Sequence, residues 1–268
     1  YAGFAPVPQS REQLAYETDA EARRLLDEAR RRQRYVGQAP ERVLDAPELV
    51  DDFYLNLLDW SPTDNVVAVA LGRSVFLWAA DTGAIAELLT LPSSGAPGVP
   101  ASPADDAIVT AVRFMRGPGA GPSVAVGTSS GEVQLWDCER GRQLRALRGC
   151  HAGRVAATAW YGYMLAAGSQ DTTITLHDVR QAAHHVLTLA GHEQEVCGLE
   201  WAPHTAPGAS GLPQLASGAN DNALCVWDPA AFSAATTTTT TTASGAVVGV
   251  CSTPKHTLTQ HCAAVKAL

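Results

Sequence analysis

The sequence predicts an all-β fold, a β-propeller, from three observations. One pattern of strands recurs along the chain, its copies close on similar apolar-aromatic segments, and the strands inside each copy read as near-continuous apolar runs, as strands covered on both faces do. The closing segments are Val75-Phe76-Leu77-Trp78, Val133-Gln134-Leu135-Trp136-Asp137, Ile174-Thr175-Leu176-His177-Asp178 and Val226-Trp227-Asp228. Trp78, Trp136, His177 and Trp227 lie 58, 41 and 50 residues apart. A period of roughly 40–45 residues is that of a four-stranded propeller blade. The longer intervals need insertions, and Gly/Pro/Ala/Ser-rich stretches at 91–106, 116–122 and 203–213 supply them.

Taken in order, residues 1–10 are expected to be disordered and 11–35 to form an amphipathic helix. Ala22, Leu25, Leu26 and Ala29 make its apolar stripe, acids gather early, and Arg30, Arg31, Arg32 and Arg34 gather late, as the helix dipole favours. The basic cluster is read as helix-end arginines in preference to a nuclear-import signal. Gly37 and Pro40 end the helix, and 36–51 continues as an extended acidic segment. A partial propeller then occupies 52–268: blades at 52–90, 105–148, 151–189 and 190–260, with a low-complexity insert at 229–250 and the start of a further blade at 261–268. The insert holds seven consecutive threonines, Thr236 to Thr242. Four blades and a start are expected to be a piece of a longer protein.

Charge and composition narrow the functional classes. A net charge of −8 and a pI of about 5.4 argue against binding nucleic acid or an anionic membrane, which need concentrated positive surface. Residues 41–59 alone hold six acids against Arg42. Cys138, Cys150, Cys197, Cys225, Cys251 and Cys262 have no CxxC spacing and read as free thiols in a reducing compartment. No apolar run is long enough to span a bilayer as a helix. No metal site is expected, because the side chains of adjacent His184 and His185 diverge and the histidines at blade entrances recur for structural reasons. No cofactor motif is present: the glycines at 117–121 are interrupted by Pro118 and followed by no Lys-Ser/Thr.

The fourth copy is the most regular, and its His192, Ser217, Asp221 and Trp227 stand where WD repeats place a hydrogen-bonded tetrad. Such a polar chain satisfies groups that would otherwise be buried unpaired. A Ser-His-Asp set invites a hydrolase reading, but a catalytic serine needs an exposed, activated hydroxyl and an oxyanion hole. Nothing like a nucleophile elbow surrounds Ser217, so no catalytic residue is assigned. The third copy keeps His151 and Asp171 but carries Ala167 and His177 at the other two places, a degraded tetrad.

The segment Leu44-Asp45-Ala46-Pro47-Glu48-Leu49-Val50-Asp51-Asp52-Phe53-Tyr54-Leu55-Asn56-Leu57-Leu58-Asp59-Trp60-Ser61 resembles the Fizzy family, the cell-division-cycle-twenty and Fizzy-related WD-repeat activators of the anaphase-promoting complex. The likeness continues through His151-Ala152-Gly153-Arg154-Val155, Gly191 to Leu199, Ser217 to Asn222 and His261 to Ala267, over residues 34–268. The 126–137 segment and Asp178-Val179-Arg180 with His184-His185-Val186 look more like the cell-division-cycle-twenty branch. The resemblance implies a seven-bladed propeller in the whole protein and a non-enzymatic, substrate-recognising activator of a ubiquitin ligase, working in mitosis and found in nucleus and cytoplasm. Its implied partners are subunits of the anaphase-promoting complex, degron-bearing substrates such as cyclins and securin-like proteins, and spindle-checkpoint proteins.

It also implies site residues. Leu44, Asp45 and Glu48 match positions that bind the destruction box, whose Arg would face two carboxylates. Asp52, Phe53, Asn220 and Asn222 match positions that bind the KEN box, where amides can both donate and accept. Family members usually carry Tyr where Phe53 stands. The bland alternatives are a solvated acidic strip for the first set and turn stabilisation for Asn220 and Asn222. These residues contain no docking box of the Asp-Arg-Tyr/Phe-Ile-Pro type, no checkpoint-binding motif and no Ile-Arg end, so the chain as it stands is not expected to activate the ligase. A generic WD-repeat interaction scaffold is the competing reading.

Overall fold

A computed structural model describes residues 37–92, 106–117, 121–203, 213–229, 238–241 and 247–268. The expected disorder at 1–10 and the helix at 11–35 lie outside them, as do the centres of the three insertions. The chain divides into two compact units, Tyr1–Asp45 and Ala46–Leu268. In the first, residues 37–45 are exposed and have no helix or strand.

The second unit holds four antiparallel blades, each meandering outward from an inner strand. The first is β1 (Leu58–Trp60), β2 (Val66–Leu71), β3 (Ser74–Ala79) and β4 (Ile85–Thr90). The second is β5 (Val109–Phe114), β6 (Ser123–Thr128), β7 (Val133–Asp137) and β8 (Arg142–Leu147). The third is β9 (Val155–Tyr161), β10 (Met164–Ser169), β11 (Thr173–Asp178) and β12 (His185–Ala190). The fourth runs through β13 (Val196–Trp201), β14 (Leu215–Ala219) and β15 (Leu224–Trp227), makes a hairpin of β16 (Thr238–Thr241) and β17 (Val247–Cys251), and returns to pair β18 (His256–Leu258) with β15.

Burial follows the apolar pattern. Strands β5, β9 and β13 are almost wholly buried, whereas β8 is half exposed and β18 wholly so. Inner strands pack in chain order, β1 beside β5, β5 beside β9 and β9 beside β13. Polar locks join them: Trp160 at the end of β9 donates its indole N–H to the Arg113 carbonyl at 3.1 Å, and Trp201 at the end of β13 donates to Ala159 at 3.2 Å. Between the first two blades, the buried Asp59 carboxylate accepts from the Phe114 amide at 2.7 Å and from Arg116 at 2.6 Å.

One glycine position explains how successive blades fit. A Cβ on Gly127 would lie 3.0 Å from Val155 Cγ1, one on Gly168 would lie 2.6 Å from Val196 Cγ1, and one on Gly218 would lie 2.7 Å from Val265 Cγ1. Each valine thus needs a bare backbone on the blade before it. Val265 sits on the fourth blade as Val155 and Val196 sit on theirs, so 261–268 occupies the place of a further inner strand without pairing as one.

The insert departs from a simple low-complexity linker. Strand β17 joins the free edge of β12 in parallel, Leu187 opposite Gly249 and Leu189 opposite Cys251, and β16 adds outside it, so the third sheet has six strands. A run of β-branched threonines has high strand propensity, and an open sheet edge offers it partners. Repetitive composition hid that propensity.

Candidate functional site

The tetrad of the fourth blade is a continuous chain. His192 Nδ1 lies 2.9 Å from Asp221 Oδ2 and Nε2 lies 2.7 Å from Ser217 Oγ, while the Trp227 indole N–H donates to Ser217 Oγ at 2.8 Å. With Nδ1–H donated to Asp221, Nε2 accepts the serine proton and the indole fills the serine oxygen. The hydrogen-bond order is that of a catalytic triad, yet Ser217 and Trp227 are 0% exposed. A hydroxyl sealed under an indole meets no substrate.

In the third blade the chain is rerouted and not broken. Asp171 Oδ2 lies 3.0 Å from His151 Nδ1, His151 Nε2 lies 2.8 Å from Thr175 Oγ1, and Thr175 Oγ1 lies 2.8 Å from His177 Nε2. Thr175 supplies the hydroxyl that Ala167 lacks, from the next strand. Sequence alignment on the serine position alone could not find it.

Both aspartates are held below the usual carboxylate range. For Asp171 burial pushes the other way, but hydrogen bonds from His151, Thr173 and the Ala152 amide outweigh it. Burial likewise opposes the shift at Asp221, and the Glu193 and Ala223 amides and His192 overcome it. A lowered folded-state pKa gives stability that is present above the unfolded value of about 3.9 and lost as pH falls below it. Urea midpoints should therefore hold near pH 6 and drop between about pH 4 and pH 2. Asp171→Asn and Asp221→Asn should flatten that drop.

The surface candidate forms where the stretch before β1 crosses the inner ends of the third and fourth blades. The Tyr54 amide donates to Asp52 Oδ1 at 2.9 Å, and the Tyr54 hydroxyl donates to Asn220 Oδ1 at 2.7 Å. Asn220 Nδ2 donates onward to Gln194 Oε1 at 2.6 Å. Asp52 Oδ2 also takes Arg154 Nη1 at 2.7 Å, and Arg154 binds the buried Glu195 twice, at 2.7 and 2.9 Å. The guanidinium lies 5.5 Å from the Tyr54 ring centre. The Tyr54 amide, aided by Arg154, holds the Asp52 carboxyl low against burial. The hydrogen bonds that Arg154 donates to Glu195 push its own pKa still higher, burial opposing. Asn56 anchors the same stretch, its Nδ2 donating to Ala156 at 2.7 Å and Cys197 at 3.2 Å.

Of the residues picked from sequence, the structure brings Asp52, Phe53 and Asn220 to one surface. Phe53 is exposed and stands edge-on to Tyr54, with Lys266 Nζ 5.3 Å from its ring centre. Lys266 also donates to the Phe53 and Leu55 carbonyls, the latter at 2.6 Å. Asn222 has φ 63°, matching Gly131 at 82° and Thr172 at 73° in the equivalent turns, so its backbone serves a turn common to three blades. Leu44 and Asp45 are exposed on the first unit, and Glu48 is exposed on the second with φ 61°. Sequence reasoning passed over Tyr54, Arg154, Gln194 and Glu195. All four lie inside the quoted motifs, and the signal was the pairing of one motif arginine with acids of two other segments.

Among the described residues, donors suited to a metal gather at one place, Cys150, His177 and His184.

Comparison with known proteins fits this geometry. Residues 183–228 match the WD domain, G-beta repeat, model. The chain is 43% identical over 235 residues to the anaphase-promoting complex subunit cdc20 of Dictyostelium discoideum, covering 88% of this chain and 39% of that protein. It is 42% identical over 235 residues to cell division cycle 20.1, cofactor of APC complex, of Arabidopsis thaliana, covering 88% and 44%. It thus spans about two fifths of the length of these relatives. A chain in the crystal structure of the mitotic checkpoint complex superposes with a TM-score of 0.67 at 35% identity, over 99% of this chain and 62% of that one. With four WD-type blades, the Leu44 to Ser61 motif that leads into the first of them and homology across most of its length, the chain belongs to the Cdc20/Fizzy-related family of WD-repeat proteins.

Proposed function

We propose that this chain is the degron-reading part of an activator of the anaphase-promoting complex, which acts by binding and not by catalysis. The observation that carries the reading is the hydrogen-bonded path Asp52–Tyr54–Asn220–Gln194, which joins the stretch before β1 to the β14–β15 turn at one exposed surface. A KEN box brings a Lys, a Glu and an Asn. Asp52 and Glu195 share the Arg154 guanidinium with Lys266 nearby, and the partly exposed Asp52 carboxylate is the acceptor offered to the peptide Lys. Asn220 has spent one amide proton and one lone pair, keeping one of each for the peptide. Phe53 offers an apolar edge where relatives with Tyr would add a hydroxyl. Asn222 completes the same turn.

Leu44, Asp45 and Glu48 are proposed to receive the destruction box, its Arg paired with the solvated carboxylates and its Leu near Leu44. Partners follow from this role: ligase subunits, degron-bearing substrates such as cyclins, and spindle-checkpoint proteins, in nucleus and cytoplasm.

Peptide titrations on the intact protein test both surfaces. Asn220→Ala should weaken a KEN peptide about tenfold, the worth of one hydrogen bond near 1–1.5 kcal/mol, and leave a destruction-box peptide unchanged. Asp45→Ala with Glu48→Ala should do the reverse, by about 2–3 kcal/mol. If the triple variant held both peptides with wild-type affinity, the degron reading would give way to a general interaction scaffold.

A further inference from the structure

The third blade ends its polar chain in an arrangement that hydrogen bonding alone uses poorly. His177 Nδ1 and His184 Nδ1 face each other at 3.1 Å, and one ring nitrogen of each histidine and Cys150 Sγ all lie within 4.8 Å of one another. Two imidazoles meeting nitrogen to nitrogen share one proton between two lone pairs. That separation is also close to the roughly 3.3 Å spanned by two nitrogens at 2.0–2.1 Å from one tetrahedral zinc ion.

We propose that Cys150, His177 and His184 form a zinc(II) site. Three segments meet there: the connection from β8 to β9 brings Cys150, β11 brings His177 and the turn into β12 brings His184. The polar chain runs from Asp171 through His151 and Thr175 to His177 Nε2, 2.8 Å from Thr175 Oγ1. When Thr175 Oγ1 accepts the Nε2 proton, the His177 Nδ1 lone pair faces His184 Nδ1, the tautomer a metal needs. A hydrogen bond to the far nitrogen that fixes the ligating one is the usual support of a metal-bound histidine. The polar chain of the blade therefore becomes an outer shell that reaches back to Asp171.

The Arg145 guanidinium is turned to the Val179, Gln181 and Ala182 carbonyls. When zinc binds, the Cys150 thiol proton leaves to solvent as the Sγ–zinc bond forms. The His184 Nδ1 proton exchanges to Nε2 without net release, and Cys150 and His184, both partly exposed, give the ion a way in and room for a water as fourth ligand. Both rings flank His177, at 5.1 Å for His184 and 5.3 Å for His185 between ring centres, and the nitrogen that meets His177 Nδ1 is that of His184. Spacing along β11 and its turn did not show this, because Cys150 comes from the segment that precedes the blade.

The test uses the purified chain, stripped with a chelator and titrated with zinc(II) against a chromophoric competitor, and with cobalt(II) read by absorption. One zinc per chain, a cobalt–thiolate charge-transfer band and a raised thermal midpoint in zinc are expected. Cys150→Ser should abolish the band, and Cys150→Ser and His184→Ala should each weaken zinc by on the order of 100-fold. His185→Ala should change neither readout. Stoichiometric binding that survives both ligand variants overturns the site, as does a wild-type thermal midpoint unmoved by zinc, a measurement that needs no variant to fold.

Discussion

Trp227→Ala should lower the unfolding free energy of the propeller by about 3–5 kcal/mol, the largest loss expected from any single side chain of the fourth blade. The indole is fully buried among Leu187, Leu199, Leu215 and Cys251 in the core shared by the third and fourth blades. Removing it leaves a cavity and also deprives Ser217 Oγ of its indole donor. A Cβ on Gly191 would come within 2.7 Å of the ring edge, so the Gly-His pair that opens the blade is shaped around the Trp that closes it. Two companion variants separate the contributions. Trp227→Phe keeps most of the volume and loses the N–H, and Ser217→Ala leaves both the indole N–H and His192 Nε2 short of a partner; each should cost about 1–3 kcal/mol. Urea denaturation followed by tryptophan fluorescence measures all three. An alanine variant no less stable than the phenylalanine one would refute the packing argument. His177 holds the place of Trp227 in the third blade, so a smaller loss for His177→Ala is expected there, with less volume removed.

The same residues show what was legible in advance. Blade repeats were readable because closing segments and apolar inner strands are dictated by burial on both faces, and Gly191, His192 and Trp227 are fixed by contacts within one blade. Local pattern carries such information. The Thr175 detour was not readable, since a hydroxyl two residues along β11 replaces one on β10, a substitution across strands. Nor was β17, whose partner β12 belongs to the preceding blade. At the surface, Asp52, Phe53 and Asn220 came from family likeness, whereas Tyr54, Arg154, Gln194 and Glu195 needed coordinates. Their roles depend on segments up to 166 residues apart meeting, as Tyr54 and Asn220 do. Family motifs named the peptide-facing candidates and left the groups that hold them in place unnamed.

Arg154 is the strongest case of such a group. Its guanidinium joins the carboxylates of Glu195, at the entrance of the fourth blade, and Asp52, ahead of β1, and Glu195 is 8% exposed. Breaking a fully buried pair by deleting one partner costs about 3–5 kcal/mol, because the remaining charge is left without compensation. Partial exposure of Arg154 and Asp52 brings the expectation for Arg154→Ala to about 2–3 kcal/mol. The consequence should extend to recognition. Without the guanidinium, the Asp52 carboxylate keeps the Tyr54 amide and the more distant Lys266 charge, the Tyr54 ring loses the cation beside it, and Asn220 loses the support of a fixed hydroxyl. KEN-peptide affinity should then fall by more than in Asn220→Ala, with the destruction-box peptide unaffected. Arg154→Lys separates charge from geometry: an ammonium can satisfy one carboxylate but cannot bind Glu195 by two parallel bonds and reach Asp52 as well. It should recover part of the stability and little of the KEN affinity. Equilibrium unfolding and peptide titration on the two variants read these separately, and a lysine variant with full KEN affinity would show that Asp52 is positioned by its own turn and not by Arg154.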